Sequence, residues 1–447
     1  MTGSLKRPLL LALGLPALLA AVQQQGLLRQ PPRLESLRQA PASSGPAALQ
    51  ARFSRPMLAA SLDQASSLQP PLPHQWLGSG SSLLLNLQEG QRLSGPLQLR
   101  LAGRDPRGLA LRPARWHWDP RPQIVAVVPV RGGEQLQLRD HNGRWLPLSP
   151  VWPAIPVLLP LGDGSGVAVA SRLADGRQQL WRIPLRQHNL APLPSAQAGL
   201  RVGRPQPLRA DPVIFAHLSS NRRGDLVVQS GGLEPGSSSA VLLPAGGGRQ
   251  RLAWEATGPM RLAPEGGALL VPDPEGLHLH TLAPLPPRRQ TLPGSRDLSS
   301  FCPQAGRALL VRHWPDFRRS LELLEPGQPP RQLWLGREAL LASACSRGGQ
   351  RVWALLLDGI RRPQLSVVAF DSQGRQRARR VLPGWEAEPG TGLQWDASTG
   401  QLLAVLRPQA NRNGRRQPAR PVLIDGDQLS LTLLNRAVNQ AQWLPAG

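Results

Sequence analysis

The sequence predicts an all-β fold, and three observations support this prediction. Of the 447 residues, 45 are Gly and 49 are Pro, a content that fits many tight turns between short strands. Short apolar runs bounded by these turn residues dominate after residue 70, whereas helical periodicity is weak there. The third observation is a short unit that recurs along most of the chain at similar intervals.

The recurring unit consists of an anchor residue, a polar turn and a short apolar run. Its copies begin at Trp76, Trp118, Leu161, Ser219, Ala263, Cys302, Cys345 and Trp395. Successive copies are 39 to 58 residues apart, and a period of roughly 40–50 residues is typical of β-propeller blades. The sequence therefore predicts a single β-propeller of about eight four-stranded blades. Seven blades remain an alternative, because the longest spacing hides either a long loop or a misread copy.

Residues 339–385 illustrate how one repeat becomes one blade. The first strand, 339–345, is rich in small apolar residues that suit the crowded centre of a ring. Strands over 351–357, 364–371 and 380–384 follow, separated by Gly-containing turns. The middle runs are continuously apolar, as expected for strands that pack against neighbouring blades on both faces. The repeat predicts four antiparallel strands with the innermost strand first.

The two ends of the repeat region predict how the ring closes. Residues 437–443 form a ninth anchor strand with no second strand after it, and the segment before Trp76 is Pro-rich and a poor inner strand. We expect the C-terminal strand to complete the first blade and thereby remove exposed edges. With its edges covered, the protein is expected to be a monomer.

The N-terminus predicts export. Lys6 and Arg7 precede an apolar run over residues 8–22, which is the pattern of a secretory signal and is short for a membrane span. Because the cleavage site is weak, residues 1–22 are interpreted as a signal peptide or an uncleaved membrane anchor. Residues 23–73 are interpreted as a Pro/Gln/Ser-rich linker, and residues 74–447 as the propeller. The predicted location is the periplasm or the outer side of the cytoplasmic membrane.

Two segments of the repeat resemble a known family. Residues 345–356 (CSRGGQRVWALL) and 366–382 (SVVAFDSQGRQRARRVL) are similar to the TolB-type WD40-like repeat, in which a Trp-Ser-Pro-Asp-Gly turn precedes a strand. The copies at Trp118 and Trp395 keep the Trp and the turn, although most copies lack the complete motif. The resemblance covers about four fifths of the chain and implies a propeller fold, without specifying a function.

The two cysteines, Cys302 and Cys345, lie one repeat period apart at anchor positions of adjacent copies. One interpretation is a disulfide between two blades in an oxidising compartment. The other is a pair of buried free thiols, which we favour because equivalent positions on adjacent blades are expected to exceed the roughly 7 Å Cα separation that a disulfide tolerates.

The chain is strongly basic, with a net charge of +24. Lys6 is its only Lys, and the arginines are spread through all repeats, which indicates a compositional bias toward Arg. No recognisable nucleic-acid-binding module accompanies the charge. A basic surface that tolerates anions is therefore favoured over nucleic-acid binding.

Sequence motifs of catalysis and cofactor binding are missing. The chain has no G-x-S-x-G, H-E-x-x-H, Walker or dinucleotide-binding motif, and we predict no catalytic residue, cofactor or metal site. His278 and His280 share one strand face and could bind a metal, but the sequence suggests no third ligand. An enzyme of the lyase or hydrolase type, with its site in the central funnel, remains the alternative function.

The loops between second and third strands of the last three repeats become rich in Arg. Equivalent loops of consecutive blades emerge on the same face of a propeller, and Arg together with aromatic residues is typical of binding hot spots. We predict a non-enzymatic binding or scaffold module of the cell envelope, whose Arg-rich face docks an acidic protein or an anionic membrane surface. The residues predicted to form this face are Trp314, Phe317, Arg318, Arg319, Arg361, Arg362, Arg412, Arg415, Arg416 and Arg420.

Overall fold

The computed structural model describes residues 29–42, 45–194, 199–232, 237–294, 296–303, 306–359, 363–410 and 416–446. These residues form antiparallel sheets almost throughout, nine within the described ranges. They divide into two compact units. The first unit comprises the described parts of Met1–Gln91, Pro96–Trp118 and Leu190–Ala196, and the second those of Arg92–Gly95, Asp119–Asn189 and Gln197–Gly447.

The first unit contains two four-stranded sheets and a short helix, α1 (Ala59–Ala65). Its strands are β1 (Leu34–Ala40), β2 (Ala48–Phe53), β3 (Ser67–Gln69), β4 (His74–Leu77), β5 (Ser82–Leu87), β6 (Leu97–Leu101), β7 (Ala114–Trp118) and β14 (Leu190–Pro192). One sheet has the order β1-β2-β5-β4, and the other the order β14-β7-β6-β3.

The interpretation of residues 23–73 as a linker is wrong over the described part of that segment. Residues 34–69 supply three strands and the helix, and Leu49, Ala51 and Leu62 are fully buried. The Pro-containing stretches at residues 41–47 and 70–73 connect these elements to one another and to β4, while the alternating apolar residues of β2 form part of the core. Residues 1–28, including the predicted signal or anchor, lie outside the described residues. Among the residues that are described, no helix has the length and apolar character needed to cross a bilayer.

The second unit contains seven sheets that follow one another along the chain. The first sheet contains β8 (Gln123–Val130), β9 (Gly133–Arg139), β10 (Trp145–Trp152) and the C-terminal strand β38 (Gln440–Leu444). The second contains β11 (Val157–Pro160), β12 (Gly166–Arg172), β13 (Gln178–Arg186), β15 (Arg201–Val202) and β16 (Gln206–Pro207). The third contains β17 (Phe215–Ser220), β18 (Leu226–Gly231), β19 (Ser239–Leu243) and β20 (Gln250–Leu252), and the fourth contains β21 (Arg261–Leu262), β22 (Ala268–Asp273), β23 (Gly276–Thr281) and β24 (Arg289–Pro293). The fifth contains β25 (Arg296–Phe301), β26 (Ala308–His313), β27 (Arg319–Leu324) and β28 (Arg331–Gly336), and the sixth contains β29 (Ala339–Cys345), β30 (Arg351–Asp358), β31 (Gln364–Asp371) and β32 (Gln376–Val381). The seventh contains β33 (Trp385–Ala387), β34 (Gln394–Asp396), β35 (Gln401–Pro408), β36 (Arg420–Asp425) and β37 (Leu431–Leu433).

Strand β30 shows why the middle strands are continuously apolar. Trp353 and Leu355 contribute to one core cluster, whereas the alternating residues Val352, Ala354 and Leu356 contribute to another. Because successive side chains of a strand point to opposite faces, a strand packed between two neighbours must be apolar at every position. The sheet β29–β32 therefore confirms the predicted four-stranded repeat, with its first strand at the predicted boundaries. The fourth strand, predicted over 380–384, lies instead at Gln376–Val381.

The C-terminal strand β38 pairs antiparallel with β8 and completes a sheet of order β10-β9-β8-β38. The side chain of Gln442 also donates to the carbonyl of Leu158 on β11, 2.7 Å away, and the Gln394 side chain accepts from the Trp443 amide at 2.9 Å. The second unit is an all-β propeller with seven sheets, which matches the alternative blade number, because the copy at Trp76 belongs to the first unit. Closure of the sheets into a ring remains a prediction.

The preference for free thiols is wrong, because Cys302 and Cys345 form a disulfide. Their Cα atoms are 5.3 Å apart, well within disulfide range. The prediction failed because it used the distance expected between the middles of adjacent sheets. Cys302 and Cys345 lie at the ends of the first strands of their sheets, β25 and β29, which are much closer together. Beside the disulfide, the hydroxyls of Ser299 and Ser343 lie 2.7 Å apart across the same two sheets.

Candidate partner-binding surface

Three of the residues predicted to form the Arg-rich face lie in the turn between β26 and β27. We call residues 314–318 (WPDFR) the Phe317 turn. The Trp314 amide donates to the Arg318 carbonyl at 3.0 Å, and the Phe317 amide donates to the Trp314 carbonyl at 3.1 Å. Two backbone hydrogen bonds thus fix the turn at the end of the hairpin.

A turn of the same form joins β12 and β13, over residues 173–177 (LADGR). Its two backbone hydrogen bonds connect the equivalent atoms, at 2.7 and 3.1 Å. In each turn the Arg Nε donates to the Asp carboxylate, at 2.6 Å from Arg177 to Asp175 and at 2.5 Å from Arg318 to Asp316. The two turns differ at the fourth position, which is Gly176 in one and Phe317 in the other.

The fourth position requires a left-handed backbone. Gly176 has φ 84°, and four further turns with the same backbone hydrogen bonds also place a Gly there, at Gly108, Gly143, Gly224 and Gly374 with φ between 79° and 83°. Phe317 adopts φ 63° at this position. Left-handed backbone is strained for a bulky residue with a Cβ atom. The geometry of the turn favours Gly, and this chain carries Phe instead.

The side chain of Phe317 is 93% exposed. It therefore gains almost nothing from burial within this chain, although an aromatic ring of this size contributes strongly when it is buried at an interface. An outlying backbone conformation that brings no packing gain is an observation from which function can be inferred. Phe317 is the strongest candidate for a contact with another molecule.

The surroundings of Phe317 are basic and ordered. The guanidinium of Arg312 lies 3.9 Å from the centre of the Trp314 ring, and the Trp314 indole N–H donates to Ser320 at 3.0 Å. Slight desolvation acts to raise the pKa of Asp316, but the backbone and side-chain hydrogen bonds from Arg318 outweigh it and hold that pKa below its usual value. Asp316 therefore remains a carboxylate that orients Arg318 beside the exposed ring.

The other predicted residues lie in related positions or outside the described residues. Arg319 is the first residue of β27, immediately after the Phe317 turn. Arg420 is the first residue of β36, and Arg416 lies in the loop before it, which is the equivalent loop of the last sheet. Arg361, Arg362, Arg412 and Arg415 fall outside the described residues.

Sequence reasoning selected this turn for its arginines and missed its most informative property. The prediction relied on the number of arginines, whereas the structure draws attention to a single aromatic residue in a Gly position. The contact of Arg312 with Trp314 was also missed. A comparison of WPDFR with LADGR within the sequence would have indicated that Phe317 stands in a Gly position, because both segments link the second and third strands of a repeat.

The alternative site, in the central funnel, would need acidic or His residues that converge from the inner strands. Asp297 of β25 accepts from His313 Nε2 at 2.8 Å, and it is exposed. Asp396 of β34 is half-buried and accepts hydrogen bonds from the amides and hydroxyls of Ser398 and Thr399 in the following turn. Each carboxylate is engaged by its own sheet, so neither observation favours a funnel enzyme over binding. The enzyme alternative stays a prediction.

The pair of strand histidines also has a definite setting. His280 stacks on Trp254 with ring centroids 4.6 Å apart, whereas His278 is 1% exposed and its Nε2 lies 2.5 Å from the Asp273 carboxylate. The sequence suggested no third ligand for these histidines. The structure places Asp273, the last residue of β22, and Glu275 of the following turn beside His278.

Seven successive sheets, each built outward from an inner strand, define the second unit as a β-propeller. No protein-family model and no curated protein matches the sequence. Among solved structures, the chain is similar to TolB from Acinetobacter baumannii, with 12% identity, a TM-score of 0.40 and coverage of 66% of this chain and 78% of that one.

Two further structures show the same likeness. The β-propeller domain of the Trilobed protease from Pyrococcus furiosus has 8% identity and a TM-score of 0.43, covering 78% of this chain and 96% of that one. Puromycin hydrolase has 16% identity and a TM-score of 0.46, covering 73% of this chain and 52% of that one. At these identities the similarity concerns the fold alone, and the surface described above has to support any function.

Proposed function

We propose that this protein is an exported, non-enzymatic β-propeller that binds a protein partner with an acidic surface, and that Phe317 is the central contact. The observation that supports the proposal most directly is the 93% exposure of Phe317 at a left-handed position. In the partner complex the ring would lie in an apolar pocket, with Arg318 and Arg319 facing carboxylates around it.

The energetics of the turn support this interpretation. A left-handed backbone costs a residue with a Cβ atom about 1–2 kcal/mol, whereas Gly adopts it freely. Gly at this position would therefore stabilise the free protein, as Gly176 does in the matching turn. Binding hot spots are enriched in aromatic residues and Arg, which supply a large contact area and bidentate hydrogen bonds to carboxylates.

Two features support export. An apolar run at residues 8–22 follows Lys6 and Arg7, as in secretory signals. Disulfides such as the Cys302–Cys345 bond persist in oxidising compartments and are rare in the cytosol. We therefore propose the periplasm, or the outer side of the cytoplasmic membrane, as the location. The net charge of +24 suits an acidic partner.

The substitution Phe317→Gly tests the proposal, because it converts the Phe317 turn into the backbone type of residues 173–177. We expect the free protein to be about 0.5–1 kcal/mol more stable, since strain is relieved and the greater flexibility of unfolded Gly offsets part of the gain. Partner recovery by crosslinking and quantitative mass spectrometry, from envelope extract with full-length bait, should fall at least about ten-fold, because interface hot spots contribute 2 kcal/mol or more.

The control variant is Leu285→Ser. Leu285 is 50% exposed, and it lies in the loop between the third and fourth strands of its sheet, whereas the Phe317 turn joins the second and third strands of another. It should recover the same partners as the wild type. If Phe317→Gly recovers them equally well, while its higher unfolding midpoint shows that the turn has formed, the proposed contact is wrong.

A further inference from the structure

A cluster of potential metal ligands lies at the hairpin between β22 and β23. Asp273 ends β22, and its Oδ1 accepts from the amides of Glu275 and Gly276 at 2.8 and 3.1 Å, which fixes the carboxylate. Its Oδ2 lies 2.5 Å from His278 Nε2. One ligand atom each of Asp273, Glu275 and His278 lies within 4.8 Å of the other two.

His278 is positioned as metal-ligating histidines usually are. Its ring is 1% exposed, and Nδ1 lies 2.9 Å from Thr291 Oγ1 on the neighbouring strand β24. In the structure Nδ1 also accepts a hydrogen bond from Arg289 Nε at 3.0 Å. Once Arg289 moves away, Nδ1 can carry the proton and donate it to Thr291, and the Nε2 lone pair then points toward the two carboxylates. A hydrogen bond to the other ring nitrogen is the standard means of fixing the tautomer of a metal-ligating histidine.

The cluster already attracts a positive group. One nitrogen of the Arg289 guanidinium lies 3.1 Å from His278 Nε2 and 3.7 Å from a carboxylate oxygen of both Asp273 and Glu275. The Arg289 side chain is 53% exposed and that of Glu275 is 78% exposed. Ion pairs this long and this exposed are weak, so a stronger cation has to displace mainly the hydrogen bond from Arg289 Nε to His278 Nδ1 before Arg289 moves into solvent.

We propose that Asp273, Glu275 and His278 bind a divalent transition metal ion, with Arg289 as the competing cation and Thr291 as the residue that orients His278. One imidazole and two carboxylates suit Zn²⁺ or Co²⁺, whereas Ca²⁺ and Mg²⁺ prefer sites made of oxygen alone. Binding would move the Nε2 proton to Nδ1, release Arg289 and leave the remaining coordination positions to water. The site is independent of the Phe317 turn.

Co²⁺ titration of the full-length protein, followed by its visible absorption, tests the proposal, with Zn²⁺ calorimetry as a second readout. The wild type should bind one ion. Glu275→Gln, which changes an exposed side chain in a turn, should weaken binding at least about ten-fold. Thr291→Val should weaken it about ten-fold through loss of orientation. Arg289→Gln should strengthen binding, because the competing charge is removed.

The exposed Asp297–His313 pair provides the control, since it offers two ligands of the same types. His313→Gln should leave the affinity unchanged. The proposal is wrong if the wild type binds no Co²⁺, if Glu275→Gln binds as tightly as the wild type, or if Arg289→Gln weakens binding. Glu275→Gln keeps the proposal testable even if substitutions of the buried His278 prevent folding.

Discussion

Removal of the disulfide between Cys302 and Cys345 should destabilise the propeller by an amount that can be estimated from its loop length. The bond joins the ends of the inner strands β25 and β29, and the two residues are 43 positions apart. In the chain-entropy description, closing a loop of this length removes about 13 cal/mol/K from the unfolded chain, or about 4 kcal/mol at 25 °C. Both side chains are buried, at 0% and 2% exposure.

The variant to measure is Cys302→Ala/Cys345→Ala, which removes the bond without leaving a free thiol. Because the chain has two compact units, a single global unfolding transition is not assured. Native-state hydrogen exchange of the β25 and β29 amides reports the local opening free energy instead. We expect that free energy to fall by about 4 kcal/mol, while the amides of β12 and β13 change less.

Reduction of the wild type supplies the matched control. Dithiothreitol should lower the protection of β25 and β29 in the wild type to the level of the double variant, and it should have no effect on the variant itself. Equal protection in the oxidised wild type and the double variant would refute the reasoning, because the bond would then impose no constraint on the opened state.

Two further predictions concern polar and packing contacts of the second unit. Burial acts to raise the pKa of Asp119, but hydrogen bonds from Arg121 and His141 dominate and hold it far below its usual value. Arg121→Ala should therefore lower the free energy of unfolding by about 2 kcal/mol at pH 7. This loss of stability should shrink as the pH falls below about 4, because the Asp119 carboxyl of the unfolded chain is then protonated. Urea unfolding at pH 7 and pH 3 measures the loss, and an equal loss at both pH values would contradict the prediction. Gly426→Ala should cost about 1–3 kcal/mol, because its Cβ would lie 2.4 Å from the Trp395 ring; an unchanged urea midpoint would contradict this.

The sequence predicted those features that repeat, because a repeat samples the same physical constraint several times. The strand boundaries of residues 339–371 follow directly from Gly-bounded apolar runs, and the structure places β29 to β31 there within one residue. Residues 34–53 were misinterpreted because their Pro- and Gln-rich neighbours resemble a linker, although β2 alternates between buried and exposed positions. The disulfide could not be predicted, since it depends on the distance between inner strands of two sheets.

The same reasoning separates the informative part of the predicted surface from its uninformative part. Arg is abundant throughout this chain, so an Arg-rich loop is only weakly distinguished from the composition of the whole protein. Phe occurs 5 times in the sequence, and Phe317 occupies a position at which five described turns of the same geometry carry Gly. A residue that opposes the local backbone preference is not maintained by stability alone. For this reason the candidate site rests on Phe317, and the arginines around it account for the charge that we expect its partner to carry.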